Sequence, residues 1–166
     1  HKILLQLKAS KPDAILMQTT WDPTHYRMDA GKYYEQFRKT VMQVKSLTPK
    51  ALIYILGPVP HWRKPLQECA VDYYQAFQKA WPERTNFCLE EKTEVIDQKM
   101  LAMSQDLHVR YISFWKPLCN QEGCLTRVGT NPLDLESIDG GHISKSTSEF
   151  LKKDLATVLE DIKNAK

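Results

Sequence analysis

Apolar positions along this chain recur at two different spacings, and the changes from one to the other mark out its elements. The segment "KPDAILMQTTW" opens on a proline–aspartate turn and continues as a short apolar run, Ala14 to Met17, ending in the polar Gln18, Thr19 and Thr20. A continuous apolar run of that length predicts a strand buried on both faces. After a loop carrying Pro23 and Gly31, "YYEQFRKTVMQVKSL" sets Tyr34, Phe37, Val41 and Val44 three or four residues apart, on one face of a helix. Pro49 ends that helix, and "ALIYIL" follows as a second buried strand, stopped by Gly57, Pro58 and Pro60.

A long stretch with Trp62, Pro65 and Pro82 reads as irregular, with a helical-looking segment between Cys69 and the turn at Pro82. A helix is predicted from about Leu89 to Leu107, burying Ile96, Met100 and Met103. "VRYISF", Val109 to Phe114, alternates and is rich in β-branched and aromatic residues, which predicts a third strand. A loop then runs to His142. In the last helix Leu151, Leu155, Val158 and Ile162 form the apolar stripe, with Ser146 and Glu149 at capping-box spacing. Strand and helix alternate three times, the order of a parallel sheet wrapped by helices. Three strands leave long unpaired edges, so further strands are expected upstream of His1. Chemistry in such sheets lies beyond the carboxyl ends of the strands: Gln18 to Trp21, Gly57 to His61, and the loop leading to Asp139 and His142.

The 166 residues suffice for one domain with a real core, and 42% hydrophobic and 26% charged residues are ordinary for a soluble protein. The longest apolar run, "ALIYILGPV", is too short to span a bilayer, and the last helix carries charges of both signs, unlike a membrane anchor. "HKILLQLKAS" lacks a signal-peptide cleavage site, so the chain is either cytosolic or cut from a longer exported or membrane-tethered protein. A net charge of +3 without a basic stripe argues against nucleic acid. The four cysteines leave three readings open: two disulfides, buried thiols, or zinc. Only Cys119 and Cys124 approach zinc-ligand spacing. The even count and that tight pair favour an oxidising compartment.

Near the end stands "SIDGGHIS", in a chain with only six glycines. The plain reading of Asp139-Gly140-Gly141-His142 is a turn with a helix cap, the glycines supplying positive φ angles. The chemical reading is a carboxylate that bonds one imidazole nitrogen, fixes the tautomer, and leaves the other nitrogen as a general base. A metal site would have to recruit His61 or His25; neither a metal nor a cofactor is expected. Trp21, Trp62 and Trp115 could stack on a sugar or acyl group. Packing is the better reading for Trp115, and both readings stay open for Trp21. Thr20 and His61 stand at strand ends where they could contact substrate, a plain surface histidine being the better reading for His61, whereas His25 and His108 carry no supporting pattern.

A strand ending in tryptophan ("AILMQTTW"), a strand followed by a proline turn ("ALIYILGPVP"), a cysteine pair after the last strand ("VRYISFWKPLCNQEGC") and "DGGHIS" occur here in order. Together they resemble the SGNH (GDSL-like) hydrolase superfamily. More closely, they resemble the SGNH domain fused to membrane acyltransferases of the acyltransferase-3 family. The resemblance runs from about Lys11 to Leu155. It implies an α/β fold, a flavodoxin-like three-layer α/β/α sandwich with a parallel sheet. Residues 1–166 would be the C-terminal portion of a single SGNH-like domain whose first strands are missing from this chain. It makes His142 the base and Asp139 its orienting acid, and it supports a Cys119–Cys124 disulfide; a Cys69–Cys88 disulfide is expected beside it. The family's nucleophile, a serine in a Gly-Asp-Ser motif, has no counterpart in this sequence. The superfamily's Gly-x-Asn-Asp block is replaced by Gln18-Thr19-Thr20-Trp21.

The implied function is O-acylation, such as O-acetylation of a cell-surface polysaccharide like lipopolysaccharide O-antigen. The domain would lie in the periplasm, tethered to the inner membrane. A membrane acyltransferase domain would deliver the acyl donor, a glycan would accept it, and an upstream segment would carry the serine. A secreted carbohydrate esterase with the same triad and a non-catalytic glycan-binding module are the alternatives.

Overall fold

A computed structural model describes residues 2–164. In chain order the elements are α1 (Lys2–Ser10), β1 (Ala14–Met17), α2 (Ala30–Leu47), β2 (Leu52–Leu56), α3 (Leu66–Phe77), β3 (Arg84–Thr85), α4 (Lys92–Asp106), β4 (Arg110–Ile112), α5 (Trp115–Leu118), β5 (Cys119–Asn120), β6 (Gly123–Leu125) and α6 (Lys145–Asn164). They fall into two units, one formed by His1–Gly57, Ile96–Ile112 and Thr157–Lys166, the other by Pro58–Val95 and Ser113–Ala156.

The first unit holds the parallel sheet, in the order β1-β2-β4. Register puts Met17, Ile55 and Tyr111 in one row, and therefore on one face. That face packs against Tyr34 and Val41 of α2 and Met100 and Met103 of α4. On the opposite face Tyr54 and Arg110 both reach Asp161 of α6, the tyrosine at 2.6 Å and the guanidinium as an ion pair. Helices thus cover both faces, the expected α/β/α layering. Burial dominates its energetics. Ile55 and Met100 are fully buried, each contributing about 1.5–3 kcal/mol. The exposed Arg38–Asp106 pair adds about 0–1 kcal/mol. Asp29 caps α2 by accepting from Lys32 N, which starts the helix ahead of its apolar face. Among the described residues, β1 and β4 each pair with β2 alone.

Three expectations need correction. The third strand is shorter than Val109–Phe114, because Ser113 Oγ accepts from Lys116 N and turns the chain into α5. The helical-looking segment between Cys69 and Pro82 is α3, which starts earlier, at Leu66, ends at Phe77, and buries only Leu66 and Cys69. Its outer residues Val71, Tyr74 and Phe77 are exposed, so no clean apolar stripe marks it in sequence. The last helix is capped by Ser144, whose Oγ accepts from Thr147 N at 3.1 Å. Ser146 instead donates to Asp134.

The second unit carries a small antiparallel sheet, β3-β6-β5, where a loop was expected. Cys119 and Cys124 are direct cross-strand partners on β5 and β6 and form a disulfide. Asn120 Oδ1 accepts from Glu122 N inside the connecting turn. Gly123, at φ +119°, lies against the Thr85 backbone, where a Cβ would collide. Cys69 and Cys88 form the second disulfide, so no cysteine is left for a metal. The bridges span 19 and 5 residues, worth about 3 and 2 kcal/mol on chain-entropy grounds, so the short one contributes less.

Candidate active site

Asp139 builds the turn around itself. Its Oδ1 accepts from Gly141 N at 3.1 Å and His142 N at 2.9 Å, while Oδ2 meets His142 Nδ1 at 2.8 Å. The hydrogen bond from His142, reinforced by the two backbone bonds, holds the Asp139 carboxyl well below the usual carboxylate range. An ionised carboxylate accepts, so Nδ1 carries the proton, and in the neutral ring Nε2 is the acceptor. The His142 side chain is 84% exposed, and Nε2 has no partner among the described residues.

The surrounding chain makes this turn rigid. Ser137 Oγ accepts from Gly140 N and donates to His142 O, both at 3.0 Å, and Ile138 N donates to the same carbonyl. Of the two glycines only Gly140, at φ +95°, needs the left-handed region. Gly141 serves a different need: a Cβ there would stand 3.3 Å from the His61 ring. His61 therefore lies against the turn, and its neighbour Trp62 donates its backbone N–H to Gly140 O at 2.7 Å. His61, Asp139 and His142 lie in the same unit.

Beneath them lies a residue that no sequence rule singles out. Glu136 is fully buried. One carboxyl oxygen accepts from Trp62 Nε1 at 2.8 Å, across 74 positions of sequence, and the other has no partner among the described residues. Burial pushes its carboxyl up to about 7, against a smaller opposing effect of the indole bond. Because the folded value exceeds the ordinary 4.5, the folded chain keeps a proton that the unfolded chain releases between about pH 4.5 and 7. Stability should fall across that window by about 3 kcal/mol and level off above it. In Glu136→Gln this loss between pH 5 and pH 8 should disappear from urea unfolding curves. Equal pH slopes in the two proteins would remove the titration from Glu136.

Other sequence-predicted positions lie in the first unit. Trp21 is 4% exposed; its indole N–H donates to Leu56 O, and Phe37 packs edge-on against it. That environment fits the packing role which the sequence had left open beside ligand contact. Thr20 is half-buried and its carbonyl accepts from Tyr33 OH at 2.8 Å. No group of three or more potential metal ligands occurs among the described residues, and the side chain of His25 lies outside them.

Residues 1–157 match the family model of the SGNH domain fused to AT3 domains. The chain belongs to that family. This SGNH domain is similar to the periplasmic domain of a lipopolysaccharide acetyltransferase from Salmonella ser. Paratyphi A. The two share 27% identity and a TM-score of 0.84, over 95% of this chain and 60% of that one. An Arabidopsis thaliana GDSL esterase/lipase is 30% identical over 64% of this chain and 41% of its own length. A peptidoglycan O-acetylesterase shares the fold, with a TM-score of 0.60 and 13% identity over 96% of this chain and 41% of the other. The SGNH domain here thus spans about two-fifths to three-fifths of these relatives. No described helix is long and apolar enough to cross a membrane.

Proposed function

We propose that this chain is the C-terminal portion of a periplasmic SGNH domain whose Asp139 and His142 serve O-acyl transfer to a glycan. The observation that carries the reading is the 2.8 Å bond that His142 Nδ1 donates to Asp139 Oδ2, with the ring exposed and Nε2 without a partner among the described residues. The nucleophile is a serine from a Gly-Asp-Ser segment upstream, which also adds strands to the sheet. The sides of β1 and β4 that stay unpaired among the described residues support this, as does the lack of that motif in these 166 residues. In the first step the serine oxygen attacks the donor's acyl carbonyl while His142 Nε2 takes its proton. The proton goes to the departing donor group, leaving an acyl-serine. A glycan hydroxyl, deprotonated by Nε2, then attacks the ester and the proton returns to the serine.

The Salmonella acetyltransferase domain, at 27% identity, supports acetyl as the group transferred and lipopolysaccharide as the acceptor. Two disulfides fit an oxidising compartment. The donor arrives from a membrane acyltransferase domain of the kind this family is fused to, which also tethers the SGNH domain to the inner membrane. His61, against the turn, is the proposed acceptor contact. The esterase reading uses the same dyad with water as acceptor, and the GDSL esterase/lipase likeness supports it.

The test is a fluorophosphonate label on the intact protein, read by peptide mass spectrometry and followed by product analysis with an acetyl donor and a glycan. One labelled serine upstream and acetyl-glycan as the main product are expected. Free acetate as the sole product would favour the esterase. No labelled serine and no turnover would leave a non-catalytic module.

A further inference from the structure

Glu136 presents a puzzle that the proposed chemistry does not solve. A buried carboxyl with one hydrogen-bond donor for its two oxygens costs stability, and an apolar side chain of similar size would avoid that cost. Yet Glu136 is fully buried with Oε1 unpartnered. What the residue holds is the candidate dyad, and it does so from both sides. Downstream, its carbonyl accepts from Ser144 N at 3.0 Å and Thr147 Oγ1 at 2.8 Å, anchoring the chain where it leaves the turn for α6. On the opposite side its carboxyl fixes the Trp62 indole, and Trp62 N holds Gly140 O.

Gly140 has little room to shift. A Cβ there would stand 2.7 Å from Trp62 O and 3.1 Å from Lys64 O, so the His61–Lys64 backbone lies directly on it. That segment is itself tied down. Arg63 N donates to Cys88 O at 2.8 Å, and Cys88 is bridged to Cys69 at the start of α3. The long-range disulfide, the indole and the buried acid thus form one connected support ending at Gly140.

We propose that Glu136 and Trp62 are positioning residues: their carboxyl–indole bond clamps the His61–Lys64 segment onto Gly140 and so sets the geometry of Asp139 and His142. The proposal rests on the catalytic reading of that pair. The bond requires an acceptor oxygen at position 136, not a charge, so an amide there should replace the acid.

The experiment uses the intact protein that carries this domain, with Trp62→Phe, Glu136→Leu, Glu136→Gln and His142→Ala. Two readouts are taken: kcat and KM for acyl transfer, and deuterium uptake of the peptide spanning Ser137–Ser144. Trp62→Phe and Glu136→Leu should lower kcat by about 10- to 100-fold with KM within about twofold. They should also speed exchange in that peptide by about tenfold, while peptides of α4 keep their protection. Glu136→Gln should restore both readouts to near the parent. Unchanged uptake in Trp62→Phe would overturn the clamp, and so would faster uptake with unchanged kcat. If Glu136→Leu loses protection throughout, Trp62→Phe, which keeps an aromatic ring, decides the matter. Activity surviving in His142→Ala would refute the catalytic reading instead, and the uptake measurement would still judge the clamp.

Discussion

Replacing His142 with alanine in the intact protein should abolish acyl transfer, by about 10⁴-fold or more, and leave the fold in place. Both halves of that expectation come from the same observation. The ring is 84% exposed and its only described partner is Asp139, so it contributes almost nothing to packing. The backbone of the turn is held independently, through Ser137 and the Asp139 bonds to main-chain N–H groups. The thermal midpoint should therefore stay within about 2 °C of the parent. On the proposed mechanism, an upstream serine that loses the Nε2 acceptor must attack as a neutral hydroxyl. Rate and midpoint measured on the same preparation check both halves. Full activity with an unchanged midpoint would reduce Asp139 to a helix-cap residue and end the catalytic reading.

Asp139→Asn should lower activity by about 10³- to 10⁴-fold while keeping the turn. The amide oxygen can take over from Oδ1 and accept from Gly141 N and His142 N. That choice leaves the amide nitrogen facing His142 Nδ1, where the carboxylate oxygen Oδ2 now stands at 2.8 Å. Two donors cannot meet, so the imidazole must move its proton to Nε2 and present Nδ1 as the acceptor. The nitrogen that the proposed mechanism offers to an upstream serine is then already protonated. Loss should appear in kcat, with KM little changed, because nothing in the exchange alters the acceptor contacts. An Asp139→Asn enzyme with parental kcat would show that the carboxylate does not set the tautomer.

The dyad was legible in sequence because its geometry is local. Asp139 and His142 stand three positions apart, and aspartate's habit of accepting from the two N–H groups ahead of it brings carboxylate and imidazole together in any such turn. The part played by each glycine was not legible. Two positive φ angles were expected and only Gly140 has one; Gly141 is small for the sake of His61, eighty positions earlier. Trp21 illustrates the same limit. Its place after a buried strand is a sequence fact, but whether its indole faces a ligand or the core depended on where α2 brings Phe37 and Tyr34.

What the sequence by itself determined was the sheet, the helices with a clean apolar stripe, and the Asp139–His142 turn. Continuous apolar runs such as "ALIYIL" are strands buried on both faces, and a strand buried on both faces requires helices on both sides. The tertiary structure alone decided where α3 begins and ends, the hairpin strands that the expected Cys119–Cys124 bridge joins, and the buried Glu136 under the site. Each of these is a contact whose partner is set by chain topology. Periodicity reports which face of an element is dry, but not which residue waits there 74 positions away, as Trp62 does for Glu136.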